Sequence, residues 1–178
     1  MKILEARGKI KDIKDARNIA EKIGGIFKGS YCATDIIFKV KETDSEKGVI
    51  DLRIFKINNR QTKNYIFTHK IAEWSGKTKT DKIILKCKFD TMEEVLDFMI
   101  DHYGDVLKED YKYSREGWEY NLEKCDIFIE CIEKLGPTIE IEAENKSDLE
   151  NLLKFFDIGE LFSESTPEIM RKLQKNSG

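Results

Sequence analysis

Hydrophobic and charged residues alternate along several segments of this chain, most sharply near its two ends. Glu5, Arg7 and Lys9 are separated by Ala6 and Gly8, while Ile139 and Ile141 alternate with Glu140 and Glu142. Successive side chains of a strand point to opposite faces, so each segment predicts a strand with all its charges on one side. Lys82 to Asp90 behaves alike: Ile83, Leu85, Cys87 and Phe89 fall on one face, Lys82, Lys86 and Lys88 on the other. The apolar faces need covering, which leaves the charged faces either to solvent or to an enclosed cavity.

Helical spacing supplies the cover. Asp12 is placed to cap a helix whose stripe is Ile13, Ala16, Ile19, Ala20 and Ile23, ended by Gly24-Gly25. Thr91 and Glu94 have capping-box spacing for a helix running to about Tyr103, with Val95, Phe98 and Met99 inward. Ser147 and Glu150 have the same spacing before Leu149, Leu152, Leu153 and Phe156, and Thr166-Pro167-Glu168 suits a last helical start. Between the first two helices lie strand-like runs from Ile26 to Lys41, Val49 to Lys56, Tyr65 to Ala72 and Lys82 to Asp90. Glu42 to Gly48 and Ile57 to Arg60 read as turns between them. Three more runs follow, from about Val106 to Tyr120, Cys125 to Glu133 and Thr138 to Ala143. About eight strands, four helices and no regular βαβ order predict an α+β fold on an antiparallel sheet. Closed on itself, such a sheet is an eight-stranded barrel with helices packed outside and a charged interior, which must be wet, internally paired or filled by a ligand.

Composition narrows this picture. A chain of 178 residues is expected to form one domain over 1–178, with a core to about 156 and a C-terminal helical extension over 157–178. Its 31 Lys and Arg nearly balance 34 Asp and Glu, for a net charge of −3, which argues against coating duplex nucleic acid. Cys32, Cys87, Cys125 and Cys131 form no C-x-x-C pair, so reduced, mostly buried thiols are expected rather than a zinc site. No run approaches the roughly 18 apolar residues of a membrane span, and the start lacks a signal-peptide pattern; a cytoplasmic protein, monomer or homodimer, is expected. The phosphate-binding pattern G-x-x-x-x-G-K-[ST] is absent, which excludes a P-loop ATPase. His69 and His102, the only histidines, lack the neighbours of a catalytic base, and Trp74, Trp118 and Tyr120 read as packing residues.

The order of elements and charges resembles the CYTH superfamily, the class IV adenylyl cyclase and thiamine triphosphatase group. Its N-terminal E-x-E-x-K strand is matched in part by Glu5-Ala6-Arg7-Gly8-Lys9, with Arg7 in place of the second glutamate. Its L-R-x-R strand is similar to Leu52-Arg53-Ile54-Phe55, and its T-x-K strand to Thr68-His69-Lys70. Its closing strands resemble Ile129 to Gly136 followed by Ile139-Glu140-Ile141-Glu142. The middle strand departs, carrying Lys86 and Lys88 where many members have acids. The likeness spans about Met1 to Phe156 and implies a tunnel of eight antiparallel strands that binds a triphosphate through basic side chains and Mg2+ or Mn2+ through carboxylates.

On that resemblance Lys9, Arg53, Lys70 and Arg115 are expected as catalytic cations, with Arg7, Lys86, Lys88 and Lys112 as further substrate contacts. Glu5, Glu130, Glu140 and Glu142 are the expected metal ligands, since Mg2+ and Mn2+ want oxygen donors. The plain alternative for each lysine is a solvated face. For the carboxylates it is pairing inside the tunnel, with Arg7 neutralising Glu5 and holding the place of a metal. Lys56, of opposite parity to Arg53, is expected outside. Two functions stay open: metal-dependent hydrolysis of ATP, thiamine triphosphate or inorganic triphosphate (or cyclisation of ATP to cyclic AMP), and a catalytically degenerate nucleotide- or polyphosphate-binding module. RNA 5′-triphosphatase activity is allowed by the resemblance but draws no support from the overall charge.

Overall fold

The computed structural model describes residues 3–40, 49–57, 63–104 and 107–175. In chain order it contains β1 (Leu4–Ile10), α1 (Ile13–Lys22), β2 (Ile26–Val40), β3 (Val49–Ile57), β4 (Asn64–Ser75), β5 (Thr78–Phe89) and α2 (Met92–Tyr103). These are followed by β6 (Leu107–Leu122), β7 (Cys125–Ile132), β8 (Gly136–Ala143), α3 (Lys146–Leu153), β9 (Ile158–Leu161) and α4 (Thr166–Lys175). The expected turns over 42–48 and 58–60, and the strand start at Val106, lie outside the described residues.

The strands form one antiparallel sheet in the order β5-β4-β3-β2-β6-β7-β8-β1-β9, and β1 also pairs with β5. The expected closed sheet is therefore present as a hydrogen-bonded ring of eight strands, joined at Glu5 and Lys79, with β9 added along the far half of β1. Gly8 makes that addition possible, since a Cβ there would lie 2.5 Å from the Glu160 carbonyl oxygen. The chain after residue 156 is thus not purely helical, because β9 pairs with β1 before α4 begins.

The apolar faces of the strands point out of the ring and under the helices. Ala16 and Ala20 of α1 and Leu149 and Leu152 of α3 pack on Ala6, Ile127, Ile129, Ile139 and Ile141. Val95 of α2 packs on Ile50, Leu52 and Phe67, with Leu85 and Phe89 beside them. Burying each of the Val, Leu, Ile and Phe side chains contributes roughly 1.5–3 kcal/mol. A third cluster joins Met170 of α4 and Phe162 to Ile37, Tyr111, Tyr113 and Ile132 at one end of the ring, and the Tyr111 hydroxyl donates to the Pro167 carbonyl.

The helix caps follow the sequence with one correction. Asp12 accepts from the Asp15 amide at 2.8 Å, and Thr91 and Glu94 form the full capping box. Removing the Thr91 hydroxyl (Thr91→Ala) is expected to cost about 1 kcal/mol, read as a small drop in thermal midpoint. The cap of α3 is Asn145, which accepts from the Asp148 amide, rather than Ser147 with Glu150; the chain enters the helix two residues earlier than the capping-box spacing implied. The thiols also differ from expectation. All four are free, but only Cys125 is buried, while Cys32 and Cys131 sit on outward strand positions and are exposed.

Candidate functional site

Inside the ring lies a cavity of about 950 Å³. Its wall takes side chains from all eight ring strands, because the faces left over by the outer packing all point inward. Glu5 and Arg7 come from β1, Tyr31 and Asp35 from β2, Asp51 and Arg53 from β3, and Thr68 and Lys70 from β4. Lys79, Asp81 and Lys86 come from β5, Tyr113 and Arg115 from β6, Glu130 from β7, and Glu140 and Glu142 from β8. Ser165, Thr166 and Pro167, at the start of α4, complete the wall at one end. None of the described helices is long and apolar enough to cross a membrane.

The centre of the wall is a continuous ion-pair network around Glu130, which is 1 % exposed. Arg115 bonds Glu130 at 2.9 Å and Asp35 at 2.9 Å, and Arg53 bonds the same Asp35 at 2.8 Å. Arg7 bridges Glu130 and Glu140. The Tyr31 hydroxyl donates to Glu130 at 2.5 Å through a gap left by Gly117, where a Cβ would lie 2.4 Å from the Tyr31 ring. Burial opposes the charge on Glu130, but Arg115, Arg7 and the Tyr31 hydroxyl outweigh it and hold its carboxyl down at about 2. Burial likewise opposes ionisation of Asp35, and Arg115 and Arg53 again win, lowering it. The Tyr31 phenol is pushed up by burial and by Glu130, so it stays protonated and donates to Glu130.

Two further groups of charges flank this network. In one, Lys70 bonds Asp81 at 2.5 Å, and Lys79 lies 2.7 Å from Glu5 and 3.4 Å from Asp81. Burial opposes the charge on Asp81 as well, yet Lys70 and Lys79 keep it below the usual carboxylate range. In the other, joined to the first through Glu5, the carboxylates of Glu5, Glu140 and Glu142 converge, each offering one oxygen, with all three oxygens within 4.8 Å of one another. Burial and the neighbouring Glu5 and Asp126 carboxylates raise Glu142, as expected where acids crowd without enough positive charge. Three hard oxygen donors on adjacent strands fit Mg2+ or Mn2+, which accept a few carboxylates and keep water for the rest.

The structure brings most of the sequence-predicted residues together and leaves three apart. Glu5, Arg7, Arg53, Lys70, Lys86, Arg115, Glu130, Glu140 and Glu142 all line the cavity. Glu130 is nevertheless separate from the three-carboxylate group, since two arginines engage it. Lys112 is exposed on the outer face of β6, where its carbonyl accepts from Gln174; three residues from Arg115 on a strand, it has the opposite parity. Lys9 shares the face of Glu5 and Arg7 but is exposed outside the cavity wall, beside Glu160 of β9. Lys88 pairs with Ile66 at the rim and is exposed. Lys56 is exposed, as its parity indicates.

The pattern read over Lys82 to Asp90 is broken by a bulge. Lys70 pairs with Ile83 and His69 with Leu85, so Ile84 is an extra residue and the faces exchange there. Ile83 consequently lines the cavity, while Leu85 and Phe89 face α2. Arg7 does not hold Glu5; Lys79 does. His69 faces Tyr103 of α2, His102 bonds the Phe98 carbonyl, and Trp118 and Tyr120 pack against α1.

A ring of antiparallel strands around an ionic lumen defines the triphosphate-tunnel class, and the chain has this CYTH-like fold. Solved structures agree over nearly its whole length. The PH1819 protein of Pyrococcus horikoshii OT3 is similar with a TM-score of 0.80 and 19 % identity, covering 96 % of this chain and 98 % of that one. A candidate adenylate cyclase of Vibrio parahaemolyticus is similar with a TM-score of 0.69 and 11 % identity, covering 96 % and 98 %. HpAC1 of Hippeastrum, a candidate adenylyl cyclase described as having a dominant triphosphatase activity, is similar with a TM-score of 0.66 and 15 % identity, covering 97 % and 96 %. No protein-family profile and no curated protein sequence matches the chain.

Proposed function

We propose that the tunnel binds the triphosphate group of a small molecule together with Mg2+ or Mn2+ and hydrolyses it. The observation that carries this reading is the convergence of Glu5, Glu140 and Glu142 in a cavity whose adjoining strands β5 and β4 present Lys79, Lys86 and Lys70. The structural likeness to proteins named for adenylyl cyclase and triphosphatase activity supports it. The three glutamates would hold the cation, which when bound neutralises phosphate charge and polarises the phosphorus. Lys70, Lys86 and the fork of Arg53 are suited to the phosphate oxygens. Asp51 lines the same cavity, and burial raises its carboxyl against the pull of Arg53 and Lys70, which suits it to accept the proton of an attacking water. Carboxylates slightly outnumber basic side chains along the wall, so the lumen favours a cation–triphosphate complex over the bare polyanion.

The test is incubation with ATP, thiamine triphosphate and inorganic triphosphate under Mg2+ or Mn2+, with phosphate, pyrophosphate and cyclic AMP measured. Turnover is expected with at least one substrate, falling at least about 100-fold in Glu142→Gln, since losing even a supporting group of a metal site costs 10–100-fold. Equal rates in the two proteins would reject the reading. Cyclic AMP as main product would keep the site and change the reaction to cyclisation. The pairing of Arg7 with Glu130 and Glu140 favours a second reading, a tunnel that binds triphosphate without cleaving it. Tight binding by calorimetry with no product would select it.

A further inference from the structure

The ring closes through one pairing, Glu5 of β1 against Lys79 of β5, and this seam lies at the carboxylate cluster. Lys79 is 6 % exposed, so its ammonium is out of water and depends on carboxylates for compensation. Its partners are Glu5 at 2.7 Å and Asp81 at 3.4 Å, and its charge also bears on Glu142. The acidic group best suited to a divalent cation is therefore already partly neutralised by a cation of the chain itself.

We infer that Lys79 stands in for the divalent cation at Glu5 and is displaced by it, so that cation binding releases the Lys79 ammonium toward the triphosphate. This rests on the proposed reading of the tunnel and adds an order to it: cation first, polyanion second. An ammonium and a divalent cation cannot share one Glu5 oxygen, because like charges at contact distance repel strongly in a low-dielectric lumen. Lys79 has a retained partner within reach. Asp81 lies two residues along the same strand and already accepts from Lys70 at 2.5 Å, so a displaced Lys79 would leave two ammonium groups on one carboxylate. That unit carries a net positive charge facing the cavity, next to the bound cation. Before the exchange the same wall has its positive charge consumed by Glu5 and Asp81. The flexible four-carbon stem of lysine permits such a change of partner, whereas the rigid fork of arginine holds a carboxylate bidentately.

The experiment measures Mn2+ affinity by calorimetry and by the electron paramagnetic resonance signal of free Mn2+, on the whole chain as wild type, Lys79→Met and Lys79→Arg. Lys79→Met is expected to bind Mn2+ about tenfold tighter, because the competing charge is gone. Lys79→Arg is expected to bind it about tenfold more weakly, because a guanidinium is harder to dislodge. Tripolyphosphate is expected to bind the wild type only with Mn2+ present, and to bind Lys79→Met about tenfold more weakly at saturating Mn2+, through loss of a charged contact. Equal Mn2+ affinity in all three proteins overturns the exchange, and tripolyphosphate binding indifferent to Mn2+ overturns the order. If Lys79→Met does not fold, Lys79→Arg decides alone: weaker Mn2+ binding supports the exchange, unchanged or tighter binding overturns it. Absence of Mn2+ binding in every protein overturns instead the metal-dependent reading of the tunnel, a result distinguishable from the other two.

Discussion

Glu130→Gln is expected to lower stability by about 3–5 kcal/mol, the usual consequence of removing one partner from a buried ion pair, and to lower the melting temperature by roughly 10 °C. The side chain keeps its shape, so the loss is electrostatic: Arg7 and Arg115 remain buried and lose the carboxylate that both engage. The acid limb of the stability curve gives an independent reading. The folded-state value of Glu130, about 2, lies below the unfolded value of a glutamate. That ordering means its stabilisation is complete above about pH 4.3 and drains as the pH falls toward 2, a contribution of about 3 kcal/mol. Urea melts between pH 7 and pH 2 should therefore show a steep acid loss in the wild type and a shallower one in Glu130→Gln. Parallel acid limbs would contradict the assignment of Glu130 as the ionised hub.

The ring was legible because its strands still obey a two-residue period. Ile139 and Ile141 against Glu140 and Glu142 have an apolar face as any half-buried strand does; only its direction is reversed, with helices taking the outside. What one strand cannot reveal is where the period slips. Ile83-Ile84-Leu85 interrupts the alternation without showing which residue is the extra one; it is Ile84, and it moves Ile83 from the expected packed face to the lumen. Lys79 was missed because the run Thr78-Lys79-Thr80 after Gly76 is polar on both faces, and a strand there is defined only by its partners Trp74 and Glu5. Asp35 and Asp51 sit singly among apolar and mixed residues, so no local pattern marks Asp35 as the partner of Arg53 and Arg115, or Asp51 as a carboxylate of the lumen. The parity that places Lys112 outside was present in the sequence, since residues three apart on a strand face opposite ways. The packing of α4 against Tyr111 and Ile37 is a contact between distant segments, which spacing within α4 does not specify.

Arg7→Glu, which writes the E-x-E-x-K pattern back into β1, is expected to damage the protein more than Glu130→Gln does, by at least about 5 kcal/mol at pH 7 without divalent cation. In wild type Arg7 joins Glu130 to Glu140 along the wall of the neighbouring strands β1, β8 and β7. The variant removes both pairs and adds a carboxylate to the group of Glu5, Glu140 and Glu142, where Glu142 is already raised by burial and by Glu5. Crowded acids favour protonation, so the folded variant binds more protons than its unfolded chain and gains stability as the pH falls from 7 toward 5, the opposite sense to the Glu130 contribution. Cation should act in the same direction as protons. A ligand at 100 times its Kd stabilises the folded state by about 2.7 kcal/mol, so Mn2+ should return roughly half of the loss and raise the variant's melting temperature more than the wild type's. The check is a set of thermal melts of both proteins at pH 7 and pH 5, with and without Mn2+. A variant that melts like wild type at pH 7 in chelator would mean that Arg7 is not the counter-ion of Glu130 and Glu140. One destabilised equally with and without Mn2+ would mean that the carboxylates gathered around it do not form a cation site.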